Sequence, residues 1–184
     1  MIFHTTKLQG AFTIEIEPIY DNRGFFSRVN CQREFAEYGL TTDFVQSNIT
    51  FSLKKNTLRG MHYQIAPHKE IKLVRCTRGA IYDIIVDLRP ESDTYLEWLA
   101  TTLTADARNM VYIPGGFAHG YQTLEENTEV YYQVGQFYAA EYERGIRWND
   151  PVLNITWPKA DSLILSEKDK VWPDFVPEKA KQSS

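Results

Sequence analysis

Turn signals recur about every ten residues along this chain, and the runs between them have the period of strands rather than helices. In residues 11–20, Phe12, Ile14 and Ile16 alternate with Thr13, Glu15 and Glu17, as in a half-buried strand. Asp21-Asn22-Arg23-Gly24 reads as a turn and 25–29 as the next strand. Further strands are predicted over 44–51, 57–64, 71–77, 80–88, 96–103, 110–113, 118–124 and 128–137. A short helix is predicted over 32–38, stopped by Gly39, and a helical turn over 163–170. Many short, evenly spaced strands with little helix indicate an all-β sandwich or barrel.

Bulk properties narrow the class. The 184 residues fit one domain, read as 1–184 with a frayed polar tail from 176. Hydrophobic residues make up 43% of the chain, enough for a core and too many for disorder. Eleven Tyr and ten Phe favour strands. No apolar run approaches the ~20 residues of a membrane span, and the N-terminus lacks an apolar export core. Cys31 and Cys76 are read as reduced thiols of a cytoplasmic protein. A net charge of −4 argues against nucleic-acid binding. A small anionic ligand would need its own local cluster of Arg and Lys.

Three stretches place polar residues on strands that otherwise look like core. They are Leu58-Arg59-Gly60-Met61-His62-Tyr63-Gln64 followed by Lys72, Pro114-Gly115-Gly116-Phe117-Ala118-His119-Gly120, and Glu129-Val130-Tyr131-Tyr132-Gln133 with Tyr138. A barrel of about eight strands can hold one small ligand, so inward polar residues suggest a pocket. A buried unpaired cation costs several kcal/mol, and an occupied anion site would account for Arg59 and Lys72 together. Each residue also has a structural reading: His62 and His119 as hydrogen-bonded core histidines, Lys72 turned outward, Tyr132 and Tyr138 as core or rim aromatics, Asp169 as a surface charge on a helix. A metal site could draw on His62, His68 and His119. The first motif lacks a second histidine after Tyr63, however, and the nearest carboxylate, Glu70, is out of strand register, so the sequence predicts no metal.

In order along the chain, Asp21-Asn22-Arg23-Gly24-Phe25-Phe26, Gln46-Ser47-Asn48, the Leu58–Gln64 motif, Lys72-Leu73-Val74-Arg75, Arg78-Gly79-Ala80-Ile81-Tyr82-Asp83, the Ile113–Gly120 motif, Glu143-Arg144-Gly145-Ile146-Arg147-Trp148-Asn149-Asp150-Pro151 and Ser166-Glu167-Lys168-Asp169 resemble the dTDP-4-dehydrorhamnose 3,5-epimerase family. The resemblance spans residues 8–175. It implies a cupin-type jelly-roll β-barrel with a few short helices, and a homodimer that lends residues across its interface. It implies an isomerase that inverts one or both carbons flanking the ketone of a nucleotide-linked 4-keto-6-deoxyhexose, in deoxysugar and cell-surface polysaccharide biosynthesis, without metal or organic cofactor. By the same resemblance His62 is the base, oriented by Asp169. Tyr132 is the acid on the other face of the sugar, and Lys72 stabilises the enolate oxygen. Arg23, Gln46, Asn48, Arg59, His119, Glu143 and Lys168 hold the nucleotide diphosphate and sugar, and Tyr138 stacks on the base.

That set of residues is chemically coherent. A ketone acidifies its neighbouring carbons; abstraction from one face and reprotonation from the other inverts the centre. Imidazole suits the abstraction at neutral pH, and an ammonium at the developing oxyanion supplies electrostatic stabilisation. Two departures stand out. Ser27-Arg28 follows the Phe25-Phe26 pair where the family often has Glu, near the nucleotide, which leaves thymine or another base such as cytosine open. Gln133 follows Tyr132 where Lys is common, with Tyr131 before it, which leaves one or two inverted centres open. A mono-epimerase, a sugar-nucleotide ketoisomerase, a metal-dependent cupin enzyme and a non-catalytic sugar-nucleotide binder are the other readings.

Overall fold

The computed structural model describes residues 1–177. Among these described residues thirteen strands are present: β1 (Ile2–Thr5), β2 (Phe12–Glu15), β3 (Ile19–Asp21), β4 (Gly24–Phe26), β5 (Gln46–Ser52), β6 (Leu58–Gln64), β7 (Lys72–Arg78), β8 (Ala80–Asp87), β9 (Trp98–Thr104), β10 (Met110–Ile113), β11 (Phe117–Thr123), β12 (Thr128–Val134) and β13 (Glu143–Gly145). Two short helices, α1 (Gln32–Ala36) and α2 (Glu167–Lys170), complete the set with one 3-10 turn. Six strands form one sheet in the order β1-β2-β10-β7-β12-β5, and five form the other in the order β13-β6-β11-β8-β9. The sheets face each other as a jelly roll. β3 and β4 form a separate hairpin.

The expected strands are present with shifted ends. The run predicted over 11–20 is two strands, because Pro18 has no N–H to donate to a ladder. β1 was not anticipated; it pairs with β2 through Phe3↔Ile14. β13, also unanticipated, pairs with β6. Helix α1 is shorter than predicted, and the chain leaves it through Gly39 at φ +70°. Of the tail expected to fray, Val176 and Pro177 are exposed without regular structure, and 178–184 lie outside the described residues.

Alternation along the strands divides the core. Ile81 and Ile85 of β8 point between the sheets toward Val74, Cys76 and Val130. Their neighbours Ile84 and Val86 point the other way, against Met61, Ala118, Ile146 and Leu153. The five-stranded sheet is therefore buried on both faces, its outer one under the C-terminal segment. The six-stranded sheet is covered by Phe35 of α1 over Phe3, Ile14 and Met110. Its edge strand β5 leaves Ile49 and Phe51 exposed. Cys31 and Cys76 are both free, and burial pushes the Cys76 thiol up to about 11.

One irregularity positions the site. Strict alternation would send Arg59 and His62, three apart, to opposite faces of β6. The ladder with β11 slips between His119↔His62 and Tyr121↔Arg59, so both side chains reach the same cavity. Gly60 occupies the slip at φ +126°, and a Cβ there would lie 2.5 Å from the Gly120 Cα. We expect Gly60→Ala to lower unfolding stability by roughly 3 kcal/mol, read from the denaturant midpoint, since left-handed strain and a backbone clash add there.

Candidate active site

Between the sheets lies a cavity of about 490 Å³, adjoining a second chamber of about 250 Å³ with which it shares lining residues. His62, Lys72 and Tyr132 line both chambers and so stand at their junction. β6, in the five-stranded sheet, carries His62; β7 and β12, in the other, carry Lys72 and Tyr132. The imidazole thus faces the phenol and the ammonium from the opposite wall. Arg59, His119, Lys168 and Asp169 line the larger chamber. Gln46, Asn48, Tyr138 and Glu143 line the smaller.

His62 Nε2 lies 2.6 Å from Asp169 Oδ1. The carboxylate is almost wholly buried, at 3% exposure, so the reading of Asp169 as a surface charge is overturned. Burial raises its pKa, but hydrogen bonds from His62, Ser166 and Trp172 outweigh this and hold it below the usual value. An ionised carboxylate only accepts. The ring nitrogen facing it therefore carries a proton, and in the neutral imidazole the other ring nitrogen is the one able to accept a proton. Burial, and then Glu70, pushes the Tyr132 phenol up, which keeps it in the proton-donor form at neutral pH.

A second pair stands next to the first: His119 Nε2 lies 2.7 Å from Asp83 Oδ2, both residues buried. His119 is thus both a hydrogen-bonded core histidine and a cavity wall. On the rim, Lys168 Nζ and the Tyr138 hydroxyl each lie 2.6 Å from Glu143 Oε2. Tyr138 is 58% exposed, as a residue at a cavity mouth would be. Burial raises the Glu143 pKa, yet Lys168 and Tyr138 together hold it low.

Three of the expected cations have protein partners within this chain. Lys72 is buried, which overturns the reading of it as turned outward, and its ammonium pairs with Glu70 at 3.0 Å. Arg59 likewise has protein acceptors, Ser52 Oγ and the Phe51 carbonyl, both at 3.2 Å. Arg23 does not join Arg59 and Lys168: it sits on the β3–β4 hairpin, 85% exposed, paired with Asp21. Of the histidines weighed as metal ligands, His68 packs against Tyr142, with ring centroids 4.3 Å apart, while His62 and His119 each face a carboxylate.

The two sequence departures fall outside the cavity. Arg28 Nη1 donates to Glu34 Oε1 at 2.8 Å, which ties it to α1. Tyr131 and Gln133 flank Tyr132 on a strand and so point to the other face, where the Tyr131 hydroxyl meets Ser47. Sequence reasoning missed two residues of the site. Glu70 was legible only as a carboxylate two positions from Lys72, in a segment that is not a strand. Trp172, which donates to Asp169 Oδ1 at 3.3 Å, gave no signal at all.

This architecture, a jelly roll whose cavity sets a carboxylate-held imidazole opposite a phenol and an ammonium, carries the groups that acid–base chemistry requires. The model of the family described as dTDP-4-dehydrorhamnose 3,5-epimerase matches residues 5–176. A dTDP-4-dehydrorhamnose 3,5-epimerase of Methanothermobacter thermautotrophicus is 44% identical over 172 residues, covering 92% of each chain. The crystal structure of the Bacillus anthracis enzyme of that name, with TDP and PPi bound, superposes with a TM-score of 0.90 at 39% identity, over 95% of this chain and 99% of its own. A Legionella pneumophila dTDP-6-deoxy-D-glucose-3,5-epimerase in complex with dTDP-4-keto-L-rhamnose gives 0.85 at 34% identity, over 91% and 89%. The chain belongs to the dTDP-4-dehydrorhamnose 3,5-epimerase family. Among the described residues no helix is long and apolar enough to cross a membrane.

The low Asp169 pKa has a consequence for acid stability. The folded carboxylate binds its proton less readily than in the unfolded chain, so its contribution is complete above about pH 4 and is lost as pH falls through the folded value. Asp169→Asn should flatten the acid limb of a stability-versus-pH curve below pH 4, measured by denaturant unfolding.

Proposed function

We propose that this chain inverts both carbons flanking the ketone of a dTDP-linked 4-keto-6-deoxyhexose, with protein side chains as its only acid and base. The observation that carries the reading is the placement of His62 on one cavity wall and of Tyr132 and Lys72 on the other. The unprotonated nitrogen of His62 takes a proton from the carbon beside the ketone, and Asp169 stabilises the imidazolium that forms. Electron density moves to the carbonyl oxygen, where the Lys72 ammonium meets it. Tyr132 returns a proton to the opposite face and is itself reprotonated from solvent. Glu70 keeps the ammonium in place between turnovers.

Arg59 and Lys168 are the cations offered to the diphosphate, and Gln46, Asn48, His119 and Glu143 the polar groups that orient the sugar and nucleotide. Tyr138, exposed at the mouth, is suited to stacking on a base. Thymine is the base supported by the relatives, which are named for dTDP sugars. Arg28, the departure that left cytosine open, is already engaged by Glu34. We read the active unit as a homodimer. Arg23, at the tip of a hairpin that also exposes Ile19, Tyr20 and Phe26, would then serve the partner's cavity. The free Cys31 and Cys76 fit a reducing cytoplasm.

Incubating the protein with dTDP-4-keto-6-deoxyglucose in heavy water tests the reaction. Deuterium should enter both carbons beside the ketone by NMR; exchange at neither sinks the reading, and exchange at one alone reduces it to a mono-epimerase. His62→Ala should slow exchange by roughly 10³-fold, and Lys72→Met by roughly 10²–10³-fold. Arg23→Ala should raise KM with little change in kcat if the hairpin reaches a partner's cavity, and sedimentation should give a dimer.

A further inference from the structure

The indole of Trp172 lies where a side chain on β13 would otherwise be. Gly145 is paired directly opposite His62 in the β13–β6 ladder. A Cβ built on Gly145 would overlap the Trp172 ring, and the Gly145 backbone is in an ordinary conformation that any residue could adopt. Glycine is therefore required there by the space the indole occupies, not by the backbone. Seated on this bare stretch of β13, the ring presents its N–H to Asp169 Oδ1 at 3.3 Å. The same oxygen faces His62 Nε2 at 2.6 Å. The indole is tilted edge-on to the imidazole, with centroids 6.3 Å apart at 65°. On its other side Lys168 Nζ stands 5.4 Å from the ring centroid, while also bonded to Glu143.

We propose that Trp172 is a positioning residue for the catalytic pair: its N–H is a second donor to the carboxylate oxygen that holds His62, and Gly145 is bare so that the indole can reach it. The kinetic side of this inference rests on the epimerase reading; the structural side does not. With two donors on one oxygen, the carboxylate cannot swing toward solvent or toward Lys168, and the imidazole stays in one orientation through the catalytic cycle. Asp169 faces the His62 imidazole from β6, the Ser166 hydroxyl from its own turn and the indole; the charges beyond are Lys168 and Glu143.

The test compares Trp172→Phe, which keeps an aromatic ring and removes the N–H, with Gly145→Ala in the wild type and in Trp172→Ala. Trp172→Phe should remain folded, hold KM for the nucleotide sugar within about twofold, and lose about three- to tenfold in kcat for deuterium exchange. In ligand-free protein, carbon NMR of the Asp169 carboxyl should show its titration midpoint moving upward, because a donor that favours the ionised form is gone. Gly145→Ala should cause a similar loss in the wild type and no further loss once Trp172 is alanine. Unchanged kcat and an unchanged midpoint in Trp172→Phe would overturn the proposal, as would a Gly145→Ala defect of equal size in the Trp172→Ala background. If the wild type exchanged no deuterium the epimerase reading would fail, and the carboxyl titration would still decide the role of the indole.

Discussion

The contact between His62 and Asp169 joins residues 107 positions apart, and it governs the shape of the mouth of the jelly roll. Asp169 sits in a four-residue helix, too short to be stable alone. Its placement depends on the segment before it: Ile164 donates to the Asn56 carbonyl and accepts from the Leu58 N–H, which lays the C-terminal segment alongside β6. Ser166 then caps α2 by accepting from the Asp169 N–H. Leu165, Ser166, Lys168 and Asp169 become one wall of the larger chamber as a result. Without that strap His62 would face open solvent with no carboxylate to select its tautomer.

The basic side chains that line the cavity have protein partners: Arg59 has the Ser52 hydroxyl and the Phe51 carbonyl, and the others face carboxylates. Lys72 has Glu70, His119 has Asp83, Lys168 has Glu143 and His62 has Asp169. An unpaired buried ion costs several kcal/mol, and removal of one partner from a buried pair is correspondingly damaging. The groups differ in how they can respond to a ligand. Lys168 and Arg59 are partly exposed and can exchange protein acceptors for phosphate oxygens, whereas Lys72 and Asp169 are enclosed and keep a fixed direction. Electrostatic groups fixed in advance of reaction are those that lower a barrier most.

Much of the fold is written in local pattern. Ile81, Ile84, Ile85 and Val86 mark β8, Gly39 ends α1, and the Asp21–Gly24 turn makes the β3–β4 hairpin; each follows from propensity and spacing that neighbouring residues supply. The facing of Tyr132 could also be read from alternation, with Tyr131 and Gln133 turned away from it. What local pattern could not supply is anything set by an exception. Arg59 and His62 share a cavity only because the ladder slips at Gly60. Asp169 was legible as a candidate partner of His62 solely through family resemblance; by itself it looks like one charge among several in Ser166-Glu167-Lys168-Asp169-Lys170.

The sequence by itself determined the class of structure and most of the list of reactive groups, because strand period, turn chemistry and residue type act over a few positions. Tertiary structure decided which of those groups meet. It gave Lys72 the partner Glu70, kept Arg23 out of its own chain's cavity, tied Arg28 to α1 and laid Trp172 across Gly145 beside the His62–Asp169 pair. The physical reason is that such contacts depend on the order and register of strands in two facing sheets. Those are settled by burial over the whole chain and leave no periodic trace in the residues that finally touch.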